Sequence, residues 1–252
     1  MSQMKPEKAT VWEKVEIFIN TANQGLIAIT TFYLMWYCYQ SGSMWSKISQ
    51  HAWITALGYQ LLMAEGIMTY YKANSLTSSF TRKEKNHIHW ILQAVGGAMA
   101  LYGCFIYIIE RERLGRRHFH GNHALWGLYS MILVTISMVS GLSALFSFEL
   151  KKIFKPIISK FAHNFISLSA FISGMVSLIY IWKDGGWAIR NDPGNLRYMS
   201  AWCLGFITFF TCIGAFKSLS FQCIGIFKIF KCKSNNTDVE VNKTENTKAV
   251  EN

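Results

Sequence analysis

The chain has 252 residues, 51% hydrophobic and 15% aromatic, with a formal charge of +11 and a mean hydropathy of +0.19. Several apolar runs of about twenty residues exclude one or two ordinary soluble domains and leave a polytopic membrane protein. Their lack of period-2 alternation favours helices over a closed barrel, and basic cytoplasmic loops account for the charge without a nucleic-acid partner.

In chain order, residues 1–15 are polar, and the opening Met1 to Lys8 is too polar for a signal peptide, so the first apolar run is expected to remain as a helix. The runs predict six spanning helices at about 17–38, 51–71, 88–109, 122–147, 158–182 and 198–217. Each is near the ~20 residues that cross the roughly 30 Å apolar core of a bilayer. The first carries Asn20, Asn23 and Gln24 near its start and is expected at the periphery. Residues 218–230 are apolar except for Lys228, and either extend the sixth helix or lie along the interface. Residues 231–252 are polar, charged and free of aromatics, which predicts a disordered tail. The expected organisation is a cytoplasmic segment 1–16, a six-helix domain 17–217, and an interfacial segment with a cytoplasmic tail over 218–252. The six cysteines show no Cys-x-x-Cys spacing and lie mostly in apolar runs, where they act as small hydrophobes.

With six spans both termini share one side. That side then holds seventeen Lys and Arg against eight on the other, which predicts cytoplasmic termini. Arg111, Arg113, Arg116 and Arg117 run against this pattern in one short loop.

Four histidines open four consecutive helices. Helices two and four run in one direction, and helices three and five in the other. His51 and His123 therefore share one depth near the outer face, and His89 and His163 share another near the cytoplasmic face. A single His at a helix entrance is ordinarily an interfacial polar residue, but two per face is a pattern, and ionisable groups inside a membrane mark function. Structural zinc prefers four ligands including Cys or carboxylate, and no second ligand cluster accompanies either pair. Haem needs two axial ligands and a wide apolar slot, which a four-helix core supplies. Gly96, Gly97, Gly103, Gly127 and Gly141 would let a macrocycle approach the backbone, although small residues in membrane helices are more often plain packing contacts. His87 would point away from His89 on a helix and reads as a loop residue, with the ligand role as its alternative. His120 shares a face with His123 and is an alternative ligand.

His51, the pair His89-Trp90, His123 followed by Gly127, and His163 resemble the cytochrome b561 family over about residues 51–183. Leu61-Leu62-Met63-Ala64-Glu65, Arg82-Lys83 and His89-Trp90-Ile91-Leu92-Gln93 look closest to its b561 domain-containing transmembrane reductases. Ala52 departs from the family, which often has Pro after the first ligand. The resemblance implies an all-α membrane protein of six helices, whose central four-helix bundle (helices two to five) holds two b-type haems per chain. It pairs His51 with His123 and His89 with His163, as helix parity does independently. It also implies an ascorbate-dependent oxidoreductase. Electrons would pass from cytosolic ascorbate to monodehydroascorbate or a ferric chelate on the other side, in an endomembrane (endoplasmic reticulum or vesicle) rather than the plasma membrane, with a homodimer compatible.

Lys72, Arg82 and Lys83 suit an anionic donor, although they serve topology equally well. Arg116, Arg117 and His118 are candidates for an anionic acceptor, against the plainer reading of a solvated loop. A small polytopic transporter is the alternative from another class, but Glu65 is nearly alone among ionisable groups at mid-helix and the apolar runs lack Pro. A non-catalytic haem subunit of a larger complex is a third.

Overall fold

The computed structural model describes residues 10–40, 43–152, 155–185 and 196–250, with the side chains of Leu150 and 232–250 outside the description. The described residues form helices and turns, with no strand. Helix α1 is Val11–Gln40. Helix α2 runs as Lys47–Ala56, a π-helical stretch Leu57–Met63, and Ala64–Met68. Then follow α3 (Arg82–Arg113), α4 (Asn122–Leu145), a 3₁₀ turn at Glu149–Lys152, α5 (Pro156–Asp184) and α6 (Leu196–Val250). Among the described residues, four segments, in α3, α4, α5 and α6 (Leu196–Lys231), are long and apolar enough to cross a membrane. The chain is an all-α integral membrane protein.

Local chemistry sets the ends. Helix α3 begins six residues before the apolar run because Thr81 and Glu84 form a reciprocal capping box, which satisfies N–H groups that the first turn leaves bare. Ser46 caps α2 by accepting from the Ser49 N–H. Pro156, whose ring pre-sets φ and whose missing N–H costs nothing at that position, starts α5. Helix α3 ends in a Schellman turn. Gly115 sits at φ +60°, with Gly115 N–H donating to Glu112 O and Arg116 N–H to Arg111 O. Gly121, at φ +94°, then turns the chain into α4. At the C-terminus the structure continues α6 as helix to Val250, where composition predicts a loose tail. That stretch contains neither Pro nor Gly, so nothing local breaks the helix.

The bundle is tied together by small residues rather than by bulk. Helix α3 buries only Gly96, Gly97, Ala100 and Gly103. A Cβ at Gly58 would lie 2.5 Å from Gly96 O, and one at Gly96 would lie 2.9 Å from Gly58 O, so the backbones of α2 and α3 touch. Gly96 is thus a helix contact, as the plainer reading of the glycines held. Between α4 and α5 runs a ladder of hydroxyls: Ser130 Oγ donates to Ala170 O, Ser137 meets Ser167 at 2.6 Å, and Ser143 meets Ser159 at 3.1 Å. Phe171, Met175, Leu204 and Ile207 are fully buried, while Phe105, Val139 and Phe209 face outward, as lipid allows. Helix α1 packs on α2 and α6.

Candidate functional site

The structure gathers the four histidines into two pairs at opposite ends of the bundle formed by α2 to α5. His51 of α2 and His123 of α4 have ring centroids 6.0 Å apart at 72°. His89 of α3 and His163 of α5 are neighbours at the other end. Each ring is held through Nδ1. His51 Nδ1 donates to Gly103 O at 3.0 Å, His89 Nδ1 to Gly66 O at 2.7 Å, and His123 Nδ1 to Ser177 O at 2.9 Å. His163 Nδ1 meets Ser140 Oγ at 3.2 Å and Ser167 Oγ at 3.3 Å.

Helix geometry supplies these acceptors. Gly66 lies in the last turn of α2, where carbonyls lack an intrahelical partner, so its oxygen is free for His89. Ser177 closes a ring with His123, because its hydroxyl donates back to His123 O at 2.7 Å. Glycine makes the room. A Cβ at Gly141 would lie 3.2 Å from His163 Cε1, and one at Gly103 would lie 2.8 Å from Thr55 Cγ2.

With Nδ1 occupied, the Nε2 of each ring is the nitrogen left for a metal, the arrangement by which ligating histidines are oriented from behind. Two imidazoles on opposite sides of one metal, each at ~2 Å, need about the ring separation seen for His51 and His123. Among the described residues no three His, Cys, Asp or Glu converge, so a tetrahedral zinc site is not formed by this donor set. Paired imidazoles with small residues around them fit an iron already held in a plane by a porphyrin.

A family model for eukaryotic cytochrome b561 matches residues 50–185, which runs from the first turn of α2 through α5 and takes in all four histidines. The chain belongs to the eukaryotic cytochrome b561 family. It is similar to the transmembrane reductase CYB561D2 of Mus musculus, at 26% identity over 159 residues, or 63% of this chain and 70% of that protein. The Homo sapiens and Bos taurus proteins of the same name match to the same extent. Membership makes this b561 chain a membrane-embedded b-type cytochrome of the electron-transfer reductase kind.

The remaining candidates divide. His87 and His120 are exposed, so it is His123 that faces His51. Arg82 lies over the Tyr70 ring at 4.9 Å, Tyr70 lies 5.0 Å from the His89 ring, and Tyr70 OH donates to Asn86 Oδ1. The other end mirrors this: Arg111 lies over Tyr107 at 5.9 Å, and Tyr107 stacks on His51 at 5.2 Å. Sequence reasoning missed both tyrosines. The available signal was an aromatic one turn after the Gly66 and Gly103 acceptors, which is weak in a chain that is 15% aromatic.

Lys72 Nζ is 2.8 Å from Glu13 Oε1, and that ion pair with the Thr10 N–H holds the Glu13 carboxyl at about 2, well below its ordinary value. Lys83 is exposed. In the last turn of α3 Arg113 grips Glu110, and His118 Nε2 from the following loop meets Glu112 Oε2 at 2.8 Å. Arg111 donates to Arg117 O, while the side chains of Arg116 and Arg117 stand exposed. Glu65 accepts from Gln24 Nε2 at 3.0 Å.

Proposed function

We propose that this chain carries electrons across a membrane through two bis-histidine b-type haems, one held by His51 and His123 and the other by His89 and His163. The observation that carries the reading is that all four rings are fixed through Nδ1 and keep Nε2 for iron. Haem held there by these histidines would supply reversible one-electron chemistry. The protein's part is to hold the imidazoles, exclude water and bring substrates to each end.

In this reading six spans place both termini in the cytosol and the 17–217 domain in an endomembrane. Helix α2, interrupted by its π-helical stretch, and α1, polar at its start, serve as the two less apolar spans. The α2–α3 end, with Arg82, Lys83 and Lys72, receives cytosolic ascorbate. The cation over Tyr70 suits an anionic donor next to the inner ligand, His89. The α3–α4 end, with Arg116, Arg117 and His118, receives monodehydroascorbate or a ferric chelate. A homodimer is compatible with the outward apolar faces. Purified protein is expected to contain two low-spin haems per chain. One haem per chain, or a high-spin spectrum, would sink this assignment.

A further inference from the structure

The two histidine pairs lie at opposite ends of the bundle, and Tyr59 sits midway between them. Tyr59 is eight residues after His51 and seven before Gly66, the His89 acceptor, or roughly 10–12 Å of helix rise from each. It lies in the π-helical stretch of α2, is 6% exposed, and its ring fills the space where Gly174 has no side chain: a Cβ there would collide with Tyr59 Cε1. Its hydroxyl bonds to Ser130 Oγ, which donates to Ala170 O.

The same level recurs on the partner helices. Ser130 is seven residues after His123. Ala170 is seven after His163 and seven before Ser177, the His123 acceptor. Tyr59, Ser130 and Ala170 therefore join α2, α4 and α5 at the middle depth of both pairs. π-Helical turns are rare and frequent at functional sites, and this one carries the Tyr59 ring in the bundle core.

We propose that the Tyr59 ring is the medium through which electrons pass between the two haem sites. This rests on the two-haem reading above. Electron tunnelling weakens steeply across gaps and saturated side chains, and a buried aromatic ring with a hydrogen-bonded hydroxyl bridges both. One electron leaves the inner site and one arrives at the outer. Tyr59 is neither oxidised nor reduced and keeps its proton.

The test is the rate of inter-haem equilibration, followed by transient absorbance after rapid reduction of full-length, haem-loaded protein. Tyr59→Leu is expected to slow it severalfold, with haem content, both spectra and both midpoint potentials unchanged. Tyr59→Phe, which keeps the ring, is expected to stay near the parent rate. If Tyr59→Leu does not load haem, Tyr59→Met, of similar volume and without a ring, carries the same comparison. A ringless variant holding two normal haems and equilibrating at the parent rate overturns the proposal. A parent protein with one haem per chain overturns the two-haem reading instead.

Discussion

At the scale of single residues, the chemistry lies in how an imidazole is pinned. A histidine on a helix can rotate about two side-chain bonds, and a hydrogen bond from Nδ1 to a fixed acceptor removes that freedom. Three acceptors are backbone carbonyls of neighbouring helices, so they cannot be mutated away. The fourth, at His163, is a pair of serine hydroxyls. Ser140→Ala with Ser167→Ala is therefore expected to broaden the signal of one haem and shift its midpoint potential, leaving the other haem as it was. Redox titration with spectral resolution measures it. The ligands themselves should fall into two classes. His51→Ala and His123→Ala are expected to lose the same haem, and His89→Ala and His163→Ala the other. If His120→Ala behaves like His51→Ala while His123→Ala does not, the ligand has been misassigned.

At the scale of elements, close helix approach holds the bundle. Gly58 and Gly96 bring two backbones into contact, and there is no volume into which a branched side chain could retreat. Gly58→Val is expected to cost about 1–3 kcal/mol through overpacking. A lower midpoint of heat-induced haem loss in detergent reads that cost. Helix α1 is tied to the α2–α3 loop by Glu13 and Lys72. Because the Glu13 carboxyl is held down to about 2 in the folded chain, the tie contributes fully above the ordinary carboxylate value and is lost as pH falls toward 2. Lys72→Ala should lower the thermal midpoint slightly at neutral pH, and the difference from the parent should vanish in strong acid. A difference independent of pH would mean that the pair contributes nothing through its charge.

At the scale of the whole molecule, the two ends carry different surfaces. The α3–α4 loop exposes Arg116 and Arg117 beside the His51–His123 end. An exposed cationic surface concentrates anions and does so less at high salt, because the Debye length shrinks to ~3 Å at 1 M. Arg116→Ala with Arg117→Ala is expected to slow transfer to an anionic acceptor severalfold in proteoliposomes and to flatten its salt dependence. The haem spectrum and reduction from the opposite end should remain. Unchanged acceptor kinetics would return this loop to an ordinary solvated turn.

The class and the pairing of the four histidines by depth are legible in the amino-acid sequence. Runs of about twenty apolar residues force helices, because lipid offers no partner for bare backbone groups, and helix parity alone sorts four histidines into two depths. His51 and His123 could be matched without coordinates, since depth follows from counting. The tertiary structure alone decided what lies behind and between the histidines. Gly66, Gly103 and Ser177 become acceptors only when α2, α3 and α5 are packed at a particular rotation, and no local pattern encodes that rotation. The same holds for Tyr70 and Tyr107, two aromatics among many until folding sets each beside a histidine. Tyr59 is one more apolar-run residue in the sequence, and becomes a central one because the π-helical turn and the bare face of Gly174 bring three helices together around its ring. Composition and periodicity report what each helix buries. Which buried groups meet depends on interhelical rotation and register, and those are fixed by contacts between residues far apart in the chain.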